Sequence, residues 1–171
     1  MTNLNIYLSN QLGFSEIGRR TLDTLIIPKI KDIGFTVLDP FEMCGKELDF
    51  DLLARLNKSE DVKKFWDEFN AKVTTINNNL MNSSVAQCTI LDGGHTVDDG
   101  VASEIGYFYG AKLGPIFALR SDFRLADNMS TSVNSQILGY IKQSGGSLAV
   151  PPNAMDNWFA AIKQHYDSLP K

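Results

Sequence analysis

Residues 4–40, LNIYLSNQLGFSEIGRRTLDTLIIPKIKDIGFTVLDP, decide the fold. The apolar run Leu4-Asn5-Ile6-Tyr7-Leu8 has the two-residue alternation of a strand. It breaks into a polar segment from Ser9 to Gly13, as a strand entering a loop does. Ser15 is placed to cap a helix, and Leu22, Leu25, Ile26, Ile30 and Ile33 recur at three- and four-residue spacing until Gly34. That spacing predicts a helix of about five turns with one buried face. Phe35-Thr36-Val37-Leu38 follows at once and ends in Asp39-Pro40. Strand, helix and strand joined without long connections close as a parallel βαβ unit.

The same alternation continues along the chain. Residues 41–57, of mixed charge, read as a loop with at most one short helix, in a position to serve as a lid. Ser59 with Glu60 and Asp61 starts a long helix whose stripe is Val62, Phe65, Trp66, Phe69, Val73, Ile76 and Leu80. Ala86 to Leu91 is a third strand, ending at Asp92-Gly93-Gly94. A helical stretch from Ala102 to Leu113 is stopped by Gly114-Pro115 ahead of a fourth strand, Ile116 to Leu119. A helix over about 132–142, a fifth strand over 147–150 and a last helix over about 153–166 complete the pattern. Five strands alternating with helices predict an α/β fold, an open five-stranded parallel sheet of flavodoxin-like type flanked by helices.

At 171 residues there is room for one ordinary domain, expected to span 1–171. Apolar residues make up 43% and charged residues 21%, and no apolar run approaches the roughly 20 residues of a membrane span. Met1 to Asn5 lacks the basic and apolar regions of a secretory signal, so a cytoplasmic location is expected. Two isolated cysteines, Cys44 and Cys88, exclude a disulfide framework and fit that setting. A net charge of −4 without a basic block argues against a nucleic-acid partner. Only His95 and His165 exist, in no metal-binding spacing, so no metal site is expected.

In such a sheet, ligands bind beyond the carboxyl ends of the strands. The loop after the first strand has neither dinucleotide nor P-loop glycines. The amides of Asn10 and Gln11 beside Phe14 suit a planar, hydrogen-bonding ligand such as a base, although a polar loop with a core-packing ring reads equally well. After the third strand, Asp92, Asp98, Asp99 and Glu104 converge, with Glu104 near a helix start. A carboxylate in a first helical turn is held ionised, while neighbouring acids raise proton affinity. One charged and one protonated carboxyl is the division of labour that glycosidic cleavage needs; acids in a solvated turn are the plain alternative.

The runs Ile6 to Glu16, Leu91-Asp92-Gly93 and Asp98-Asp99-Gly100-Val101-Ala102-Ser103-Glu104-Ile105-Gly106-Tyr107, with Arg120 to Arg124, resemble the nucleoside 2-deoxyribosyltransferases. The resemblance implies ping-pong transfer of 2-deoxyribose between purine or pyrimidine bases, without metal or organic cofactor. It implies Glu104 as the nucleophile, Asp98 as the acid at the base, with Asp92 a second candidate, and Tyr7 as the hydroxyl that holds the nucleophile. Asn77 would lie near the base. Asn134 would bind the sugar in a neighbouring subunit's site, which makes the protein a homo-oligomer. Gly100 belongs to the signature, but Val101 departs from it, taking a hydroxyl out of a position where a cap is expected. Val85 is a second departure, where many relatives carry Asp. His95 reads as a loop residue rather than an acid or base. Two other readings remain open: a nucleoside or deoxynucleotide N-glycosidase, with Ser9, Ser15 and Arg19 for a phosphate, and a nucleoside-binding module without turnover.

Overall fold

The structure is a computed structural model that describes residues 4–92, 96–122 and 132–170. The elements run β1 (Asn5–Asn10), α1 (Glu16–Thr21), α2 (Ile27–Ile33), β2 (Thr36–Leu38), α3 (Pro40–Gly45), α4 (Phe50–Arg55), α5 (Ser59–Asn82), β3 (Ala86–Ile90), α6 (Asp99–Gly110), β4 (Ile116–Leu119), α7 (Ser135–Gln143), β5 (Ser147–Ala149) and α8 (Ala154–Ser168). All strand pairs are parallel, in the order β2-β1-β3-β4-β5. This is the flavodoxin-like order, with its switch point between β1 and β3. Among the described residues no helix is long and apolar enough to cross a membrane.

The sheet alternation creates two cores. Ile6, Leu8, Cys88, Ile90, Phe117 and Leu119 pack under α2 and α8, around the fully buried Trp158. Its indole N–H donates to the Phe117 carbonyl at 2.8 Å, so the polar edge of the ring is satisfied inside the core. On the other face Tyr7, Ile116 and Ala118 pack with Val101, Ile105, Phe108, Ile137 and Ile141, under α6 and α7.

Three differences from the sequence reading bear on the site. β1 runs two residues further, through Ser9 and Asn10, because both side chains find partners inside and the alternation continues. The segment 41–57 holds two short helices rather than a loop. Asp39 caps α3 by accepting from the Phe41 N–H, Pro40 sits at its first position, and Asp49 caps α4. The first long helix is continuous but contains a π turn, Leu22–Ile26, in which the Ile27 N–H reaches the Leu22 carbonyl. Pro28 follows directly; its ring would strike the Thr24 carbonyl in a regular α-helix, and the wider turn accommodates it. Gly34, at φ 123°, then ends α2 in a conformation that side chains rarely adopt.

Candidate active site

The site lies where β1, α3, α5 and α6 meet. Asp98 is the N-cap of α6, its Oδ1 accepting from the Val101 N–H at 3.1 Å. The helix therefore begins three residues before the expected Ala102. The cap is supplied by this aspartate, so the buried Val101 needs no hydroxyl for the purpose. Glu104 falls in the second turn rather than the first, and projects toward the sheet.

Three side chains donate to the Glu104 carboxylate. The Tyr7 hydroxyl gives its proton to Oε1 at 2.7 Å, the Asn77 Nδ2–H to Oε1 at 3.3 Å, and the Ser9 hydroxyl to Oε2. Tyr7 and Ser9 reach it together because they are two residues apart on β1 and share a face. Burial pushes the Glu104 carboxyl above the usual carboxylate range; the Ser9 and Tyr7 hydrogen bonds oppose the shift, and the Asp98 charge adds to it. The helix-start argument for an ionised Glu104 is replaced by these two hydroxyls. Tyr7, buried against the same carboxylate, is pushed far above its ordinary value and remains a proton donor. Next to Tyr7 and Ser9 in register stand Gln87 and Thr89. Both are fully buried, and neither the Gln87 amide nor the Thr89 hydroxyl has a partner among the described residues.

A cavity of about 450 Å³ opens in front of Glu104, a size within the range of small-molecule pockets. Asn10, Phe14, Asn77, Asp98, Gly100 and Glu104, all anticipated from sequence, line it. Pro40, Phe41 and Cys44 of α3 and Phe69, Asn70 and Val73 of α5 complete the wall. The Phe14 ring, 78% exposed, meets Phe41 edge-on at 4.8 Å. Gly13 permits this approach, since a Cβ there would lie 2.4 Å from the Phe41 ring. The wall is mainly apolar and aromatic, and its floor is a carboxylate with three donors. The size and lining of such a site suit a flat, partly apolar molecule, and the chemistry of a carboxylate at its edge is that of a nucleophile for an electrophilic carbon.

A family model for nucleoside 2-deoxyribosyltransferase matches residues 6–155. The chain belongs to the nucleoside 2-deoxyribosyltransferase family. Its members are pentosyltransferases, and this chain is one by that membership. The fold is similar to that of a 2-deoxyribosyltransferase from the psychrotolerant bacterium Bacillus psychrosaccharolyticus, with TM-score 0.58 and 19% identity over 92% of this chain and 95% of that one. It is also similar to a 2-deoxyribosyltransferase from Leishmania mexicana, with TM-score 0.56 and 14% identity over 95% and 98%. No curated protein matches the chain.

Within this deoxyribosyltransferase-family chain, other anticipated residues take different places. Asp92 is not in the Glu104 cavity; its carboxylate accepts from the Ser121 N–H and hydroxyl and from the Asp122 N–H, clamping the loop after β4. Gln11 spends an amide N–H on the Asp92 carbonyl at 3.0 Å and does not line the cavity. Asn10 lines it, but its Oδ1 accepts from the Gly13 N–H, so this amide shapes the turn that carries Phe14. Asp99 is exposed. Asn134 is exposed as the N-cap of α7 and does not line the cavity of its own chain. His95, Phe123 and Arg124 lie outside the described residues. Ser9, read from the sequence as a phosphate ligand, holds Glu104 instead, and wall residues such as Phe41, Cys44 and Asn70 are ones that sequence reasoning passed over.

Proposed function

We propose that this protein moves 2-deoxyribose from one nucleobase to another by a ping-pong mechanism through a deoxyribosyl ester on Glu104. The observation that carries this reading is the half-buried Glu104 carboxylate, held by Tyr7, Ser9 and Asn77 at the floor of an aromatic cavity. A carboxylate offers about four lone-pair directions. Oε1 accepts two hydrogen bonds and Oε2 one, which leaves Oε2 for attack on C1′. The C1′–O bond forms as the N-glycosidic bond breaks, and the bonding pair leaves with the base nitrogen. In its protonated form Asp98 gives that nitrogen a proton and is left as the carboxylate; the cap engages its Oδ1, and Oδ2 meets the base. The second base reverses the sequence, returning its proton to Asp98 and freeing Glu104.

A 2-deoxy sugar lacks the electron-withdrawing 2′-hydroxyl, so positive charge develops at C1′ more readily and the poised carboxylate captures it. Phe14 and Phe41 provide the flat walls for a purine or pyrimidine. Asn134, which does not line its own chain's cavity, serves a neighbouring copy in a homo-oligomer. Mixing Glu104→Ala with Asn134→Ala subunits is then expected to restore activity that neither has alone.

Three observations weigh against a 5′-phosphate and so against the deoxynucleotide hydrolase reading. Ser9 is engaged by Glu104, Ser15 caps α1 through the Gly18 N–H, and Arg19 is paired with Asp23 and Asp39. The deciding experiment mixes thymidine or 2′-deoxyinosine with adenine or cytosine and follows products by chromatography. A new deoxynucleoside made by the wild type and absent with Glu104→Ala supports the transferase. Free deoxyribose alone supports the hydrolase, and no turnover supports a binding module.

A further inference from the structure

The cavity wall carries a thiol that this reaction leaves without a role. Cys44, near the end of α3, is 9% exposed and lines the cavity, and its Sγ lies 3.5 Å from Asn77 Oδ1. Asn77 in turn gives its Nδ2–H to Glu104 Oε1. The direction of the Asn77 amide follows from what its neighbours can do. An ionised carboxylate only accepts, so the NH₂ end faces Glu104 and the carbonyl end faces Cys44. A carbonyl needs a donor, and the thiol S–H supplies one. Reversed, the amide would set its oxygen against the carboxylate, acceptor against acceptor.

We infer that Cys44 is a positioning residue, whose S–H fixes the orientation of the Asn77 amide and, through it, one of the three hydrogen bonds on Glu104. The contact links three elements, α3, α5 and α6, and so ties the cavity wall to the carboxylate. Burial, with Glu104 and Asp39 adding to it, pushes the Cys44 thiol up, which keeps the S–H present at neutral pH. The inference rests on the reading of Glu104 as the nucleophile.

The test is steady-state base exchange across pH for Cys44→Ala, Cys44→Val, Cys44→Ser, Asn77→Ala, the Cys44→Ala/Asn77→Ala double variant and Glu104→Gln. Without the thiol, the Asn77 bond to Glu104 weakens. In Cys44→Ala and Cys44→Val, kcat is expected to fall about three- to tenfold with KM little changed. The acid limb of kcat/KM moves to higher pH, because the ionised carboxylate has lost a donor. Cys44→Ser keeps a donor and recovers most of the rate. Cys44→Ala adds nothing to Asn77→Ala in the double variant.

Wild-type kcat and pH profile in both Cys44→Ala and Cys44→Val would overturn the inference. So would a change in KM alone, or a loss that adds in full to that of Asn77→Ala; each would make Cys44 only a wall residue. Exchange surviving in Glu104→Gln overturns the nucleophile reading and this inference with it. A dead Glu104→Gln beside an unaltered Cys44→Ala overturns the inference alone.

Discussion

On β1, Ile6 and Leu8 point to one face of the sheet and Tyr7 and Ser9 to the other; on β3, Cys88 and Ile90 oppose Gln87 and Thr89. The first face is sealed by α2 and α8 with apolar side chains; the Trp158 indole N–H there is satisfied by Phe117, while the Nε2 of His165, whose ring lies against Phe35 and Phe117, has no partner among the described residues. The second buries a phenol, an amide and two hydroxyls beneath α6, beside the half-buried Glu104 carboxyl. Burying unpaired polar groups costs stability, on the order of 1–3 kcal/mol each, and here Gln87 and Thr89 have no partner among the described residues, beside the groups that hold Glu104. One strand thus serves both faces because side chains alternate: apolar packing is concentrated on one and the candidate site on the other.

The sharpest break of this comparison is Glu104→Ala. Base exchange is expected to fall on the order of 10⁴-fold or more, with the fold retained by circular dichroism. On the opposite face, Trp158→Ala is expected to cost about 3–5 kcal/mol in denaturant unfolding while the folded fraction keeps near-normal kcat. A large loss of kcat at full folding would show that the two faces are not separable. Asp98→Asn keeps the α6 cap but cannot supply the proton, and is expected to lose about 10²–10⁴-fold, less than Glu104→Ala. Tyr7→Phe removes one hydrogen bond to a charged acceptor and is expected to lower kcat about 10- to 100-fold, with the acid limb moving up.

The smallest effect is on stability. Folding raises the proton affinity of Glu104, so its contribution favours the folded state below the unfolded glutamate value of about 4.3. That contribution is lost as pH rises through the higher folded value. Glu104→Gln, neutral throughout, is therefore expected to show a higher Tm than the wild type at neutral pH, with the gap closing as the pH falls. An equal gap at every pH would place the cost elsewhere than in the buried charge.

The alternation from Ile6 through β3 and β4 made the sheet legible, because apolar runs bounded by glycine and proline survive in any such fold. Glu104, Asp98 and Gly100 were legible from the spacing of one signature. Ser9 was not, because a strand that buries polar side chains looks like a loop; continuing the Tyr7 alternation one step would have placed it beside Glu104. The α3 wall was hidden for a related reason. Six-residue helices carry little periodicity, and only the Asp39-Pro40 cap announced one. Asp92 and Gln11 share the loops of the site, and only their partners, Ser121 and the Asp92 carbonyl, separate bracing from binding.

The most direct test of the central claim is mass spectrometry of the protein quenched with acid after mixing with a 2′-deoxynucleoside in the absence of a second base. The account predicts a mass increase of one 2-deoxyribosyl group, mapped to the peptide containing Glu104 and discharged when a second base is added. Base exchange proceeding with no adduct, or with the adduct on another residue, would contradict it.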